Sequence, residues 1–271
     1  MTATTHQPGP TQVTAYRDVV PQGRPGIAWN RLILLELRKI VDTRSGRWLL
    51  IAIGLITAAA LTVAVAVADS GGSMLSWMSL LQVTSIVQLM LFPVLGILAT
   101  TAEFSQRTGL VTFTTEPRRS RVVLAKIVAA SLWALAGLVV AVLLAALAHV
   151  AAVQFRGAAW DWHFDPAMSG GLVLTQLLGV AQGLGFGLLL TSPAAAIVVF
   201  FVLPTVFGML GGMVSSFDKI APWLDPARST SPLSEGTMAG SDWAHLAVSH
   251  SVWVLLPLVV GTWLLTRREI N

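Results

Sequence analysis

An all-α polytopic membrane protein, with six transmembrane helices preceded by an amphipathic interfacial helix, is the fold class this sequence predicts. Three observations carry the prediction. Hydrophobic residues make up 55% of the 271 and charged residues only 11%, against about 25% charged in ordinary soluble domains. Six apolar runs each approach the roughly 20 residues that a helix needs to cross a hydrocarbon core. The basic residues, finally, gather beside alternate ends of those runs, so the net charge of +4 reads as membrane topology and not as nucleic-acid affinity.

Residues 1–26 are rich in Pro, Thr, Gln and Gly, have little to bury, and read as a disordered cytoplasmic tail. The rest, 27–271, forms one six-span membrane domain. No apolar core precedes Trp48, which argues against a cleaved signal peptide. Over 27–42, WNRLILLELRKIV places Trp29, Leu32, Ile33, Leu37 and Ile40 on one helical face and Arg31, Arg38 and Asp42 on the other. Such a helix lies in the interface instead of crossing it. Glu36 breaks the apolar face, and pairing with nearby Lys39 or Arg38 accounts for it.

The spans are expected at about 48–68, 77–102, 122–153, 172–190, 195–214 and 245–266. The third is long enough to protrude from the bilayer. Residues 154–170 form a polar loop bearing tryptophan, TSPAA a tight connection, and 215–244, with its prolines and acids, cannot span. Fourteen of the 17 Lys and Arg lie on the face that holds both termini (seven before Trp48, five at 103–126, two at 267–268), leaving Arg156, Lys219 and Arg228 opposite. Positive residues stay inside, so both termini and the 103–126 segment are expected to be cytoplasmic.

No span carries a central Asp, Glu, Lys or Arg, so an ion-coupled mechanism has no evident carrier. Gln82, Gln88, Gln176 and Gln182 suit interhelical hydrogen bonds. Gly179, Gly183 and Gly187, and Gly208 with Gly212, recur every fourth residue and let two helices approach closely, either inside one subunit or at a dimer seam. Pro93, Pro204 and Pro257 mark places where helices can bend. Trp48, Trp77, Trp160, Trp162, Trp223 and Trp243 flank spans, as an aromatic belt requires. His149 falls near the outer end of the third span. Asp161, His163 and Asp165 have no further supporting pattern and read as a solvated loop, not a metal site.

Enzyme signatures are missing: there is no GxxxxGK[ST] phosphate loop, no HExxH, no GxSxG and no cysteine. The chain is therefore read as no enzyme and as binding no cofactor of its own. The most patterned polar stretch is AEFSQRTGLVTFTTEPRRSRVVLAK, from Ala102 to Lys126. It closely resembles the loop between the second and third spans of type-2 ABC transporter permeases, where a Glu closes the second span, a Gly-Thr pair follows, and a Pro and basic stretch leads to a Lys opening the third. The matching positions are Glu103, the inverted pair Thr108-Gly109, Pro117, Arg118, Arg119, Arg121 and Lys126. LLELRKIVDTRSGRW and GTWLLTRREIN are similar to that family's two ends.

The resemblance implies the permease subunit of an ABC exporter in the cell membrane. It implies a dimer, homomeric or heteromeric, with a second permease copy and two copies of a separate ATPase subunit that carries the ATP and Mg. It makes 103–121 the coupling helix. There Arg107, Arg118, Arg119 and Arg121 meet acidic groups of the ATPase, Leu110 and Phe113 supply an apolar anchor, and Glu103 and Glu116 are the stretch's acids. Membrane lipids are the other expected contact, and charge-free spans fit a lipophilic or amphiphilic cargo. The rival expectations are a stand-alone secondary transporter or channel, and a non-transporting anchor or immunity subunit.

Overall fold

The computed structural model describes residues 27–68, 75–105, 118–213 and 219–267, without the side chains of 104, 105 and 212. All regular structure among them is helical. Helix α1 (Trp29–Asp42) stops where Thr43 turns extended, and the Thr43 hydroxyl accepts the Gly46 N–H at 3.2 Å to cap α2 (Arg44–Val67). This corner requires glycine, because a Cβ on Gly46 would overlap the Ile40 carbonyl. The chain continues through α3 (Trp77–Ser105), α4 (Arg119–Arg156), α5 (Pro166–Leu190) and α6 (Pro193–Met213). Short helices α7 (Ala221–Leu224) and α8 (Pro226–Glu235) follow. The last crossing is α9 (Asp242–His250), a π-helical turn at Ser251–Leu255, and α10 (Leu256–Arg267).

Helices α2 to α6 and the Asp242–Arg267 stretch are long and apolar enough to cross a membrane, so the chain is a multi-pass membrane protein by length and composition. The sequence-based spans match these helices to within six residues at each end, and most of the helices run further at one end or both. The expected 48–68 stops one residue past Val67, and residue 214 of the expected 195–214 lies outside the described residues. The fourth starts at Pro166, six residues before the apolar run. Asp165 accepts the N–H groups of Ala167 and Met168 there, and Pro166 brings a φ already suited to a first helical turn. Among its described residues, the segment at 215–244 holds no spanning helix but forms the short helices α7 and α8 and the start of α9, joined by turns. Asp225 caps α8 through the Ala227 N–H, and α8 folds back onto α5, where a Cβ on Gly171 would overlap the Leu233 carbonyl.

Helix α5 is the centre of the bundle. Most of its apolar window, 61%, is buried inside the protein, against 17% for α2 and for α6. With lipid as solvent there is no hydrophobic gain in bringing helices together, so close packing must do it. The glycine stripe provides that packing within one chain. A Cβ on Gly183 would overlap the Pro93 carbonyl, and one on Gly187 the Thr100 hydroxyl, while one on Gly179 would meet the Pro93 ring at an ordinary 3.4 Å. On the other side of the seam, a Cβ on Gly96 of α3 would lie 2.7 Å from the Val180 carbonyl. Gly208 of α6 faces the Asp225 carboxylate, and Gly212 lies in the same helix. Phe92, Leu95, Ala130, Ala134, Val180 and Leu184 fill the main core between α3, α4 and α5.

Candidate functional site

Four charged side chains from three helices close a ring at the end of the bundle that carries α1. Glu36 and Lys39 stand three residues apart on α1, so they share a face and pair at 2.7 Å. Glu103 comes from the last turn of α3 and Lys126 from the second turn of α4. Lys126 reaches Glu36 at 2.7 Å and Glu103 at 3.1 Å, and Lys39 reaches Glu103 at 3.0 Å. Each ammonium thus lies between two carboxylates, and the ring is neutral. Glu36, Glu103 and Lys126 are each at most 5% exposed. Lys126 also donates to the Ala99 carbonyl.

Burial alone would lower the pKa of Lys39, but Glu36 and Glu103 outweigh it and hold the value above the ordinary 10.5. Buried charges are costly unless paired on all sides, so such a ring specifies which helices meet more than it adds net stability. The sequence expectation that Glu36 pairs with Lys39 is met. Its second partner, Lys126, is 90 residues away. The face of α1 that holds Glu36 is turned towards the bundle, with Leu32, Glu36 and Ile40 buried. Leu34 and Leu35 are exposed instead. The Trp133 indole adds a hydrogen bond to the Leu37 carbonyl.

The expected coupling segment is described only at its ends. Glu103 sits in the ring. Arg107, Thr108, Gly109, Phe113, Glu116 and Pro117 lie outside the described residues. Arg118 is exposed just before α4. Arg119 donates to the Leu265 carbonyl, near the end of α10. Arg121 donates to the Ile27 carbonyl at 2.7 Å and stacks over Trp29 at 5.0 Å. Arg119 and Arg121 therefore tie the start of α4 to α10 and α1.

Elsewhere the polar residues have local work. Gln88 donates to the Gly137 carbonyl, joining α3 to α4, and Gln82 reaches the Met168 sulfur of α5. Buried His149 bonds the Leu75 carbonyl through Nδ1 and meets Trp162 edge-on at 4.8 Å. Trp162 in turn packs on Trp77 and Trp160. Asp161 accepts the His163 N–H and Asp165 caps α5. Among the described residues, no three His, Asp or Glu side chains converge on a possible metal position. Scanned against protein-family models the chain matches none, and a search among curated proteins finds no match.

Proposed function

We propose that this chain is the transmembrane permease subunit of an ABC-type exporter, seated in the cell membrane with both termini cytoplasmic. In this reading it pairs with a second permease copy and moves a lipophilic or amphiphilic cargo with ATP hydrolysed by a separate ATPase. The observation that carries the reading is the pairing of Glu103 with Lys126 at 3.1 Å, shared with Glu36 of α1. Those two residues bracket the stretch that resembles a coupling loop. A segment whose two ends are clamped together, with helix α1 bound into the clamp, passes a push on the segment to α3, α4 and α1 at once.

The test is a mild-detergent pull-down of the tagged chain from its own cells, assayed for a co-purifying ATPase. Arg118→Glu is the docking variant of choice, because Arg119 and Arg121 already serve contacts inside the chain. Recovery of a cassette ATPase, lost in Arg118→Glu with the fold intact, supports the proposal. Recovery of a stable chain without any ATPase, and flux driven by an ion gradient, would overturn it in favour of a secondary transporter. An ATPase that binds without any cargo moving would mark a regulatory or immunity subunit.

A further inference from the structure

We propose that the furrow between α2 and α4 is a binding site for an anionic phospholipid, with its phosphate at Arg156 and one acyl chain along the furrow. The site stands whether or not an ATPase drives the chain. Two clefts line this seam and share Leu144 as a wall: one of about 150 Å³ towards the charged ring, and one of about 380 Å³ towards the opposite end. Their α2 walls run from Leu50 to Ala66, roughly 24 Å at 1.5 Å per residue. That is longer than one leaflet's share of a core about 30 Å thick, so a tail lying in it is extended.

The walls are suited to hydrocarbon. Small residues such as Gly54, Ala58, Ala141 and Ala148 open the space, and an added Cβ on Gly54 meets nothing within 4 Å. Most of the wall's donors are already used. Thr57 bonds the Ile53 carbonyl, Thr62 the Ala58 carbonyl and Trp133 the Leu37 carbonyl. Gln88 gives one amide N–H to the Gly137 carbonyl, and its buried Oε1 has no partner, so the narrower cleft keeps one polar spot in an apolar wall.

Charge sets the head. Arg156, the last residue of α4, lines the wider cleft. A guanidinium has five N–H donors. One goes to the Ala68 carbonyl at 2.6 Å, and buried Nε has no partner. Among the described residues, no carboxylate lies within ion-pair distance of it. A cation with no carboxylate partner among the described residues is complementary to a phosphate oxygen, which guanidinium binds in a charge-assisted, often bidentate way.

The experiment compares wild type, Arg156→Gln and Gly54→Leu, purified in mild detergent, washed free of loose lipid, and analysed by mass spectrometry of extracted phospholipids. Wild type is expected to retain anionic over zwitterionic phospholipid. Arg156→Gln should lower that retention at least about tenfold, the worth of one hydrogen bond to a charged group. Gly54→Leu puts a branched side chain into the narrower cleft, its Cβ in open space, and should release the lipid while thermal stability holds. Because Arg156 also caps α2, Gly54→Leu keeps the test meaningful if Arg156→Gln unfolds. Equal retention of both lipid classes, or retention unchanged in Gly54→Leu, would leave annular lipid only and overturn the site. The chain has no cysteine, so disulfide formation between two copies of an Ala58→Cys variant would overturn it too, by putting a second copy in the furrow.

Discussion

Helix α3 is held on two sides by contacts built from opposite materials. Against α5 it packs through missing side chains, with Gly183 on the Pro93 carbonyl and Gly96 near the Val180 carbonyl. Against α1 and α4 it is held by Glu103, one of four long charged side chains in a closed ring. Repulsion between touching atoms rises within tenths of an ångström, whereas attraction between charges falls only as the inverse of distance. The glycine seam therefore fixes a separation. The ring fixes which helices are neighbours and tolerates their sliding. The compliant contact is the one beside the segment that begins after Ser105.

Breaking each contact sharpens the difference, and the ring should show the larger effect. Lys126→Met leaves Glu36 and Glu103 buried with only the half-exposed Lys39 to share. Losing one partner of a buried pair costs about 3–5 kcal/mol, to be read as a lower unfolding temperature in detergent. The double variant Glu36→Leu with Lys126→Leu should recover most of that loss, since a leucine pair leaves only Lys39 with Glu103. No recovery would mean that the ring holds more than its own charges.

Next comes the glycine seam. Gly183→Ala forces a methyl into the Pro93 carbonyl and should cost about 1–3 kcal/mol, as overpacking does. Gly179→Ala meets only an ordinary contact and should change stability by less than about 0.5 kcal/mol. Equal effects at the two positions would remove the stripe from the α3–α5 seam.

The smallest effect is expected at Lys39, whose side chain is 42% exposed. Lys39→Met should cost no more than about 1 kcal/mol. The sign of its pH dependence follows from its raised pKa. Its contribution is complete below the ordinary value of 10.5 and is lost as pH rises through the higher folded value. An alkaline unfolding series should show that loss in wild type and not in Lys39→Met.

The six crossings were legible because a run of about 20 apolar residues matches the thickness of a hydrocarbon core and outruns a buried helix of a soluble domain. Their ends were not, since caps such as Asp165 and Thr43 extend a helix beyond its apolar run. Periodicity put Gly179, Gly183 and Gly187 on one face but could not name α3 as the helix opposite. Likewise Glu36 could be matched to Lys39 by helical spacing, while Lys126 became its partner only once α1 lay against α4. A glutamate in the middle of an apolar face was the available signal that this face meets protein. The helices in 219–235 were hidden by their brevity and prolines. Pro222 and Pro226 each sit in a first helical turn, where proline is at home.

Helix α4 has 38 residues and no proline. At 1.5 Å per residue it is roughly 57 Å long, nearly twice the ~30 Å hydrocarbon core. Its midpoint, Gly137, is where the Phe92 ring presses in, so closely that a Cβ there would overlap it. Lys126 lies towards one end and Arg156 ends the other. Contacts hold it along its length: Arg121 lies over Trp29, Trp133 bonds the Leu37 carbonyl, Gln88 bonds the Gly137 carbonyl and Arg156 bonds the Ala68 carbonyl. An unbroken helix pinned at its ends and its middle is a strut. It keeps the charged ring and the far surface at one spacing.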